Sequence, residues 1–208
     1  MGDRALADRA QICPDLVLAA VRGWIGTPYL RRAAMRGVGA DCVGLIRGVI
    51  ADVTGAEIVP PRWSVDPAAL AAEPVMAAAR DHLLPLPLAA AAPGHVVAYR
   101  TAAAMFAHVG ILTPGGVIHC SEVGGVREVA DLGRAMTAVW AIPAPADCET
   151  APSADGILGV LYPEAGRWRV AFSDAMTATP LGCGPLFASR TAALDHAGRI
   201  ADHLESME

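Results

Sequence analysis

The stretch "PDLVLAAVRGWI" (14–25) reads as an amphipathic helix with Pro14 in its first turn. A loop, "GTPYLRRAAMRGVGA", follows. Residues 42–54 predict a second helix, with Asp41 at the N-cap and Gly55 closing it. Residues 67–82 look helical with an interruption at Pro74, and "LPLPLAAAAPG" (84–94) reads as an extended connector. The texture then changes to short β runs: 95–100, 108–113, 116–121, 125–130 and 137–142. Turn residues separate most of them, as in a meandering antiparallel sheet.

"PAPADCETAPSADG" (143–156) has the composition of a linker. Beyond it lie two predicted strands, "ILGVLY" and "RWRVAFS", a loop "ATPLGCG", and a final helix over 189–205 capped by Ser189. Helices and strands are segregated, which indicates an α+β fold. The expected organisation is a main domain over 1–145, a linker over 146–156 and a small ββα tail over 157–208.

Composition narrows this picture. The 208 residues suit one domain with an appendage. Aromatics are only 5%, so the core must rest on Leu, Val, Ile and Ala. A net charge of −5 argues against a nucleic-acid surface. The most apolar stretch, 83–99, is broken by Pro85, Pro87, Pro93 and His95, so no membrane span is expected. The N-terminus lacks a basic start followed by an apolar block, so synthesis in the cytoplasm without a signal peptide is expected. Five cysteines, with no CxxC pair, point to reduced thiols rather than a disulfide framework. His196 and His203 lie seven apart without further ligands nearby, and neither metal nor cofactor is expected.

The candidate chemistry lies at "GVGADCVGLIRGVI" (37–50). Cys42 follows the N-cap, where unpaired N–H groups and the helix dipole favour a thiolate and could hold an oxyanion. For a lone cysteine the plain reading is a small apolar filler. "HVGILTPGGVIHC" supplies His108 and His119 on two strand runs. An even-length turn, Thr113–Gly116, puts both rings on one face with Cβ atoms ~5–8 Å apart, whereas a three-residue turn puts them on opposite faces. Gly110, on the face of His108, is expected to leave open space beside that ring. One imidazole would move protons for the thiol while the second fixes its orientation.

Four segments, "GTPY" (26–29), "ADCVGLIRGV" (40–49), "PGHVVAYR" (93–100) and "HVGIL…VIHC" (108–120), together resemble the NlpC/P60 cysteine peptidases, most of all the type found with phage tails and gene transfer agents. The resemblance covers roughly 14–143. It implies a papain-like α+β fold and hydrolysis of amides in peptidoglycan stem peptides, commonly the γ-D-glutamyl–diaminopimelate bond. It implies Cys42 as nucleophile, His108 as base, His119 as the third polar residue, and Tyr29 and Asp41 as oxyanion or supporting residues. Val43 stands where many relatives carry serine, and "LRRAAMRG" replaces a glycine pair.

Arg31, Arg32 and Arg36 are expected to meet substrate carboxylates, the alternative being solvated loop arginines. Partners implied are stem peptides and phage-like tail proteins, with release on such a particle. Two other classes stay open: a tail-assembly or scaffold protein with weak or no hydrolysis, and a same-fold amidase or acyltransferase, which a narrow apolar groove would favour.

Overall fold

A computed structural model describes residues 11–59, 73–100, 107–145, 149–151, 157–164, 167–174, 180–185 and 187–206. The first helix, α1 (Pro14–Arg22), has proline at its start, where the missing N–H costs nothing. A two-residue hairpin, β1 (Ala34–Met35) with β2 (Gly39–Ala40), leads into α2 (Cys42–Thr54). Both predicted ends of α2 are present. Asp41 accepts the Gly44 N–H at 2.7 Å, and Gly55 closes the helix with a left-handed backbone at φ 72°.

The third helix is α3 (Glu73–His82). Its described part carries Pro74 at the second residue, and the predicted 67–72 portion lies outside the described residues, so the expected interruption at Pro74 falls at the edge of what is described.

The expected extended connector contributes a strand. β3 (Leu84–Leu86) pairs with β8 (Met136–Ala141), and a short 3-10 turn at Leu88–Ala90 follows it. The other strands are β4 (Val96–Arg100), β5 (Ala107–Thr113), β6 (Gly116–Ser121) and β7 (Gly125–Val129). The sheet order is β3-β8-β4-β5-β6-β7 with every pair antiparallel, so the protein is α+β. It is not a pure meander, because β8 returns between β3 and β4. That return buries Val139 and Trp140 on both faces of a central strand, a long-range pairing that local turn signals do not encode.

One sheet face packs on α1 and α2 through Val96, Ala98, Val109, Ile111, Ile118, Cys120 and Trp140. The opposite face carries a smaller cluster of Val97, Tyr99, Val117 and Val139.

The expected linker and ββα tail also change. β9 (Glu149–Ala151) lies inside the stretch read as linker, and β12 (Pro180–Cys183) inside the stretch read as loop. With β10 (Ile157–Glu164) and β11 (Arg167–Asp174) they form a second, four-stranded sheet in the order β12-β11-β10-β9. The last helix, α4 (Arg190–Glu205), packs on it through Ala193 and Ala197 against Leu161 and Val170, with Trp168 beside them. Ser189 caps α4 by accepting the Ala192 N–H at 3.2 Å. Among the described residues no helix is long and apolar enough to cross a membrane.

The expectation of uniformly reduced thiols is corrected at one position. Cys13 is disulfide-bonded, while Cys42 and Cys120 are free. With no CxxC pair among the five cysteines, no local spacing motif announces the bridge.

Candidate active site

The loop from Tyr29 to Asp41 is pinned to the head of α2. Asp41 uses Oδ1 for the Gly44 cap and Oδ2 to accept the Arg32 N–H at 2.7 Å, holding Arg32 in the left-handed region at φ 64°. Gly44 has to be small: a Cβ there would lie 1.8 Å from the Ala33 carbonyl oxygen. These constraints place Cys42 at the first helical residue, against β5. The backbone groups of Val109, Val43 and Cys42 act on the thiol in the direction that favours a thiolate.

Val109 follows His108 in the chain, and it lies one residue beyond Gly110–His119, the last paired position of β5 with β6. The sulfur therefore meets β5 where the β5–β6 pairing ends, one residue from His108. Strand parity puts both histidines on the sheet face opposite the one that packs on α2, and among the described residues no hydrogen bond joins Cys42 to either ring, so the sulfur and the pair are linked only through the adjacent β5 residues Val109 and His108.

The turn between β5 and β6 is even. Thr113 pairs with Gly116, Gly110 with His119, and the two histidines are diagonal neighbours on one face. His108 Nε2 and His119 Nδ1 lie 2.8 Å apart, and the rings meet edge to face with centroids 4.9 Å apart. This contact leaves His108 Nδ1 for a second partner.

The space expected beside His108 at Gly110 is not open. A Cβ at Gly110 would meet Val117 at 2.7 Å and the His119 Cβ at 3.3 Å, so the glycine is needed for β6 to bring His119 close. His119 is buried, 4% exposed, and its Nε2 has no partner among the described residues. If Nε2 carries the His119 proton, Nδ1 is left as an acceptor for the His108 Nε2–H.

The electrostatics differ from a preformed thiolate. Burial and then the Asp41 charge push the Cys42 thiol up to about 11, although the three N–H groups pull the other way. Burial, His119 and Arg134 push His108 down to about 4, and burial, Arg127 and Arg134 lower His119. Near pH 7 the pair rests as neutral thiol and neutral imidazole. The expected helix-terminus help is real but smaller than the cost of desolvation. Asp41 consequently positions the loop and caps the helix, while its charge opposes the thiolate.

Tyr29 is half-buried and close to Cys42, Asp41, Arg31 and Glu122, all of which act on its hydroxyl, whose pKa is raised chiefly by burial. Of the three loop arginines, only Arg31 reaches this group. Arg36 is held instead by Asp52 on α2 at 3.4 Å, and the same Asp52 oxygen accepts from Trp24 Nε1 at 2.8 Å. Arg36 is therefore a tie between the loop and α2, not a residue poised for a substrate carboxylate. The Arg32 backbone is committed to Asp41.

Glu122, Arg127 and Arg134 were not among the sequence candidates. Glu122 and Arg127 come from the β6–β7 hairpin beside His119, while Arg134 comes from the crossing between β7 and β8, which has no local signal. Cys120 faces the core as expected and donates to the Ala40 carbonyl at 3.0 Å, its thiol pushed up to about 12 by burial. His95 is also a core residue. Its Nδ1 accepts the Ala92 N–H at 3.1 Å and its Nε2 lies 3.3 Å from Gln11 Oε1.

A small apolar cavity of about 50 Å³ lies between α2, α3 and the sheet. Val43 and Val109, which flank the sulfur, line its inner end, and Arg47 and His82 are the polar residues of its wall.

No protein-family profile matches the chain, and no curated protein matches it. Among solved structures it is similar to the NlpC/p60 domain of the peptidoglycan hydrolase SagA, at a TM-score of 0.42 and 20% identity. That likeness covers 63% of this chain and 100% of that domain. At this level it says nothing about chemistry. The class that the fold and site themselves define is an α+β protein with a cysteine at a helix head packed against β5 and a hydrogen-bonded histidine pair that begins at the next residue of that strand.

Proposed function

We propose that the protein is a cysteine peptidase of the NlpC/P60 type, hydrolysing amide bonds in peptidoglycan stem peptides through Cys42, His108 and His119. The observation that carries this reading is the 2.8 Å contact between His108 and His119 on one sheet face, one residue along β5 from Val109, whose backbone acts on the Cys42 thiol. The four motif segments in family order support the substrate class.

In the reaction, Sγ attacks the carbonyl carbon as its proton passes to His108, so charge develops only as the S–C bond forms. The N–H groups at the helix head face the resulting oxyanion. His108 then returns the proton to the leaving amine as the C–N bond breaks. Water, activated by the same imidazole, hydrolyses the thioester and restores the thiol. His119 holds the His108 ring throughout.

The Cys13 disulfide supports a working place that is oxidising. Digestion of defined stem peptides with mass analysis, beside Cys42→Ala, tests the proposal. Cleavage at the γ-D-glutamyl amide that Cys42→Ala loses is expected. Full activity of the variant, or no cleavage by the parent protein, would refute it.

A second reading is favoured by the cavity. An apolar space reaching Val43 and Val109 suits the acyl chain of a lipid or small-amide substrate. Release from an acyl amide by a protein inert on stem peptides would select that reading. The scaffold reading draws on the raised thiol, and a parent protein inert on both stem peptides and acyl amides would select it.

A further inference from the structure

Two arginines flank the histidine pair that no motif points to. Arg127 on β7 is the register partner of His119, so their side chains leave the same face with Cβ atoms about 5 Å apart. Its guanidinium lies along the β6–β7 turn, where a Cβ on Gly124 would come within 3.3 Å of Nη1.

Arg134 is delivered by topology. β7 is an edge strand, and β8 lies beyond β6, β5 and β4. The chain leaves β7 at Val129, opposite Val117 near the start of β6. It enters β8 at Met136, which pairs with Tyr99, itself the partner of His108. Residues 130–135 therefore strap the histidine-bearing face diagonally, with Leu132 packed against that face's apolar cluster. Arg134 arrives two residues before Met136, at the His108 end.

Both arginines are exposed, and among the described residues no carboxylate pairs with either. Arg36, expected from the sequence to read substrate, is already held by Asp52.

We propose that Arg127 and Arg134 form the carboxylate-recognition wall of the site, taking an acidic group carried by the acyl part of the substrate beside the scissile amide. This rests on the peptidase reading and names the substrate feature that its site selects. Two planar guanidiniums next to the base suit a carboxylate, which each can grip with paired N–H donors. The same cations oppose protonation of the imidazoles. A docked carboxylate offsets that field, so His108 becomes a stronger base when substrate is in place.

The test uses the full chain carrying Cys42→Ala, so that ligand is not consumed. The probes are γ-D-glutamyl-diaminopimelate and the same dipeptide with the glutamyl α-carboxylate converted to an amide, read by calorimetry and by the imidazole NMR signals. The acid is expected to bind roughly tenfold to a hundredfold tighter than the amide. Arg127→Gln and Arg134→Gln should each remove most of that preference, and Arg22→Gln, a remote exposed arginine, should not.

Equal binding of acid and amide, or a preference that survives both Arg127→Gln and Arg134→Gln, overturns the proposal. Hydrolysis by the parent protein is measured separately. An arginine-dependent preference without hydrolysis leaves the wall standing and removes the peptidase reading. Hydrolysis without the preference does the reverse.

Discussion

The two halves of the proposed site carry opposite charge. Asp41 and Glu122 act on the Tyr29 hydroxyl, and Asp41 acts on Cys42 as well, while Arg127 and Arg134 act on the histidine pair. Asp41 discourages a thiolate, and Arg134 discourages an imidazolium. A thiolate–imidazolium pair would thus place each charge next to its own kind. The comparison teaches that the ground state is neutral on both sides, and that the proton has to move during attack rather than before it. Catalytic power then depends on what the substrate brings to each side, not on a standing ion pair.

The largest effect should come from removing the groups that both sides serve. Cys42→Ala and His108→Ala are each expected to lower kcat/KM by on the order of 10⁴-fold or more, with folding unchanged by circular dichroism. His119→Ala should cost less, about tenfold to a hundredfold, because it orients the base without touching substrate. His119→Gln, which keeps an acceptor in place, should recover part of that loss. A His119→Ala enzyme with unchanged kcat would mean the 2.8 Å contact does not serve catalysis.

How much of this was legible in the sequence depends on how local each feature is. The ends of α2 were readable, because Asp41 and Gly55 act within one turn of their own positions. The shared face of the histidines was readable too, since a short hairpin converts loop length into side-chain parity. The strand status of β3, β9 and β12 was not, because each is created by a partner elsewhere in the chain. The same holds at the site. Cys42, His108 and His119 announce themselves by residue type and neighbours. Arg134 enters through a strap across three strands, and Arg36 is diverted by an aspartate on the helix it faces. Desolvation is equally invisible in a sequence, which is why the helix-head argument missed the sign of the Cys42 shift.

A subtler change sharpens the loop side. Asp41→Asn keeps an N-cap but removes the charge and one of the two accepted hydrogen bonds. The Cys42 pKa should fall, so alkylation by iodoacetamide at pH 8 should speed up about threefold to tenfold. Stability should drop by about 1 kcal/mol for the lost hydrogen bond. An alkylation rate that stays constant would show that Asp41 acts only as a cap.

The smallest effect concerns the sheet side and is read in stability. His95, His108 and His119 all have pKa values below the ordinary 6.5 in the folded chain, first because of burial. Above pH 6.5 neither the folded nor the unfolded chain protonates them, so they contribute no pH dependence there. Between 6.5 and about 4, the folded value of His108, the unfolded chain binds the proton and the folded chain does not. Stability therefore falls as pH falls through that window. For His108 alone the loss between pH 7.5 and 5.5 is about 1 kcal/mol, and the other two act in the same direction. Urea titrations at the two pH values should resolve it, and His108→Gln should flatten the slope by that amount. An unchanged slope in His108→Gln would mean the imidazole protonates in the folded protein, and the neutral ground state inferred for the sheet side would fall with it.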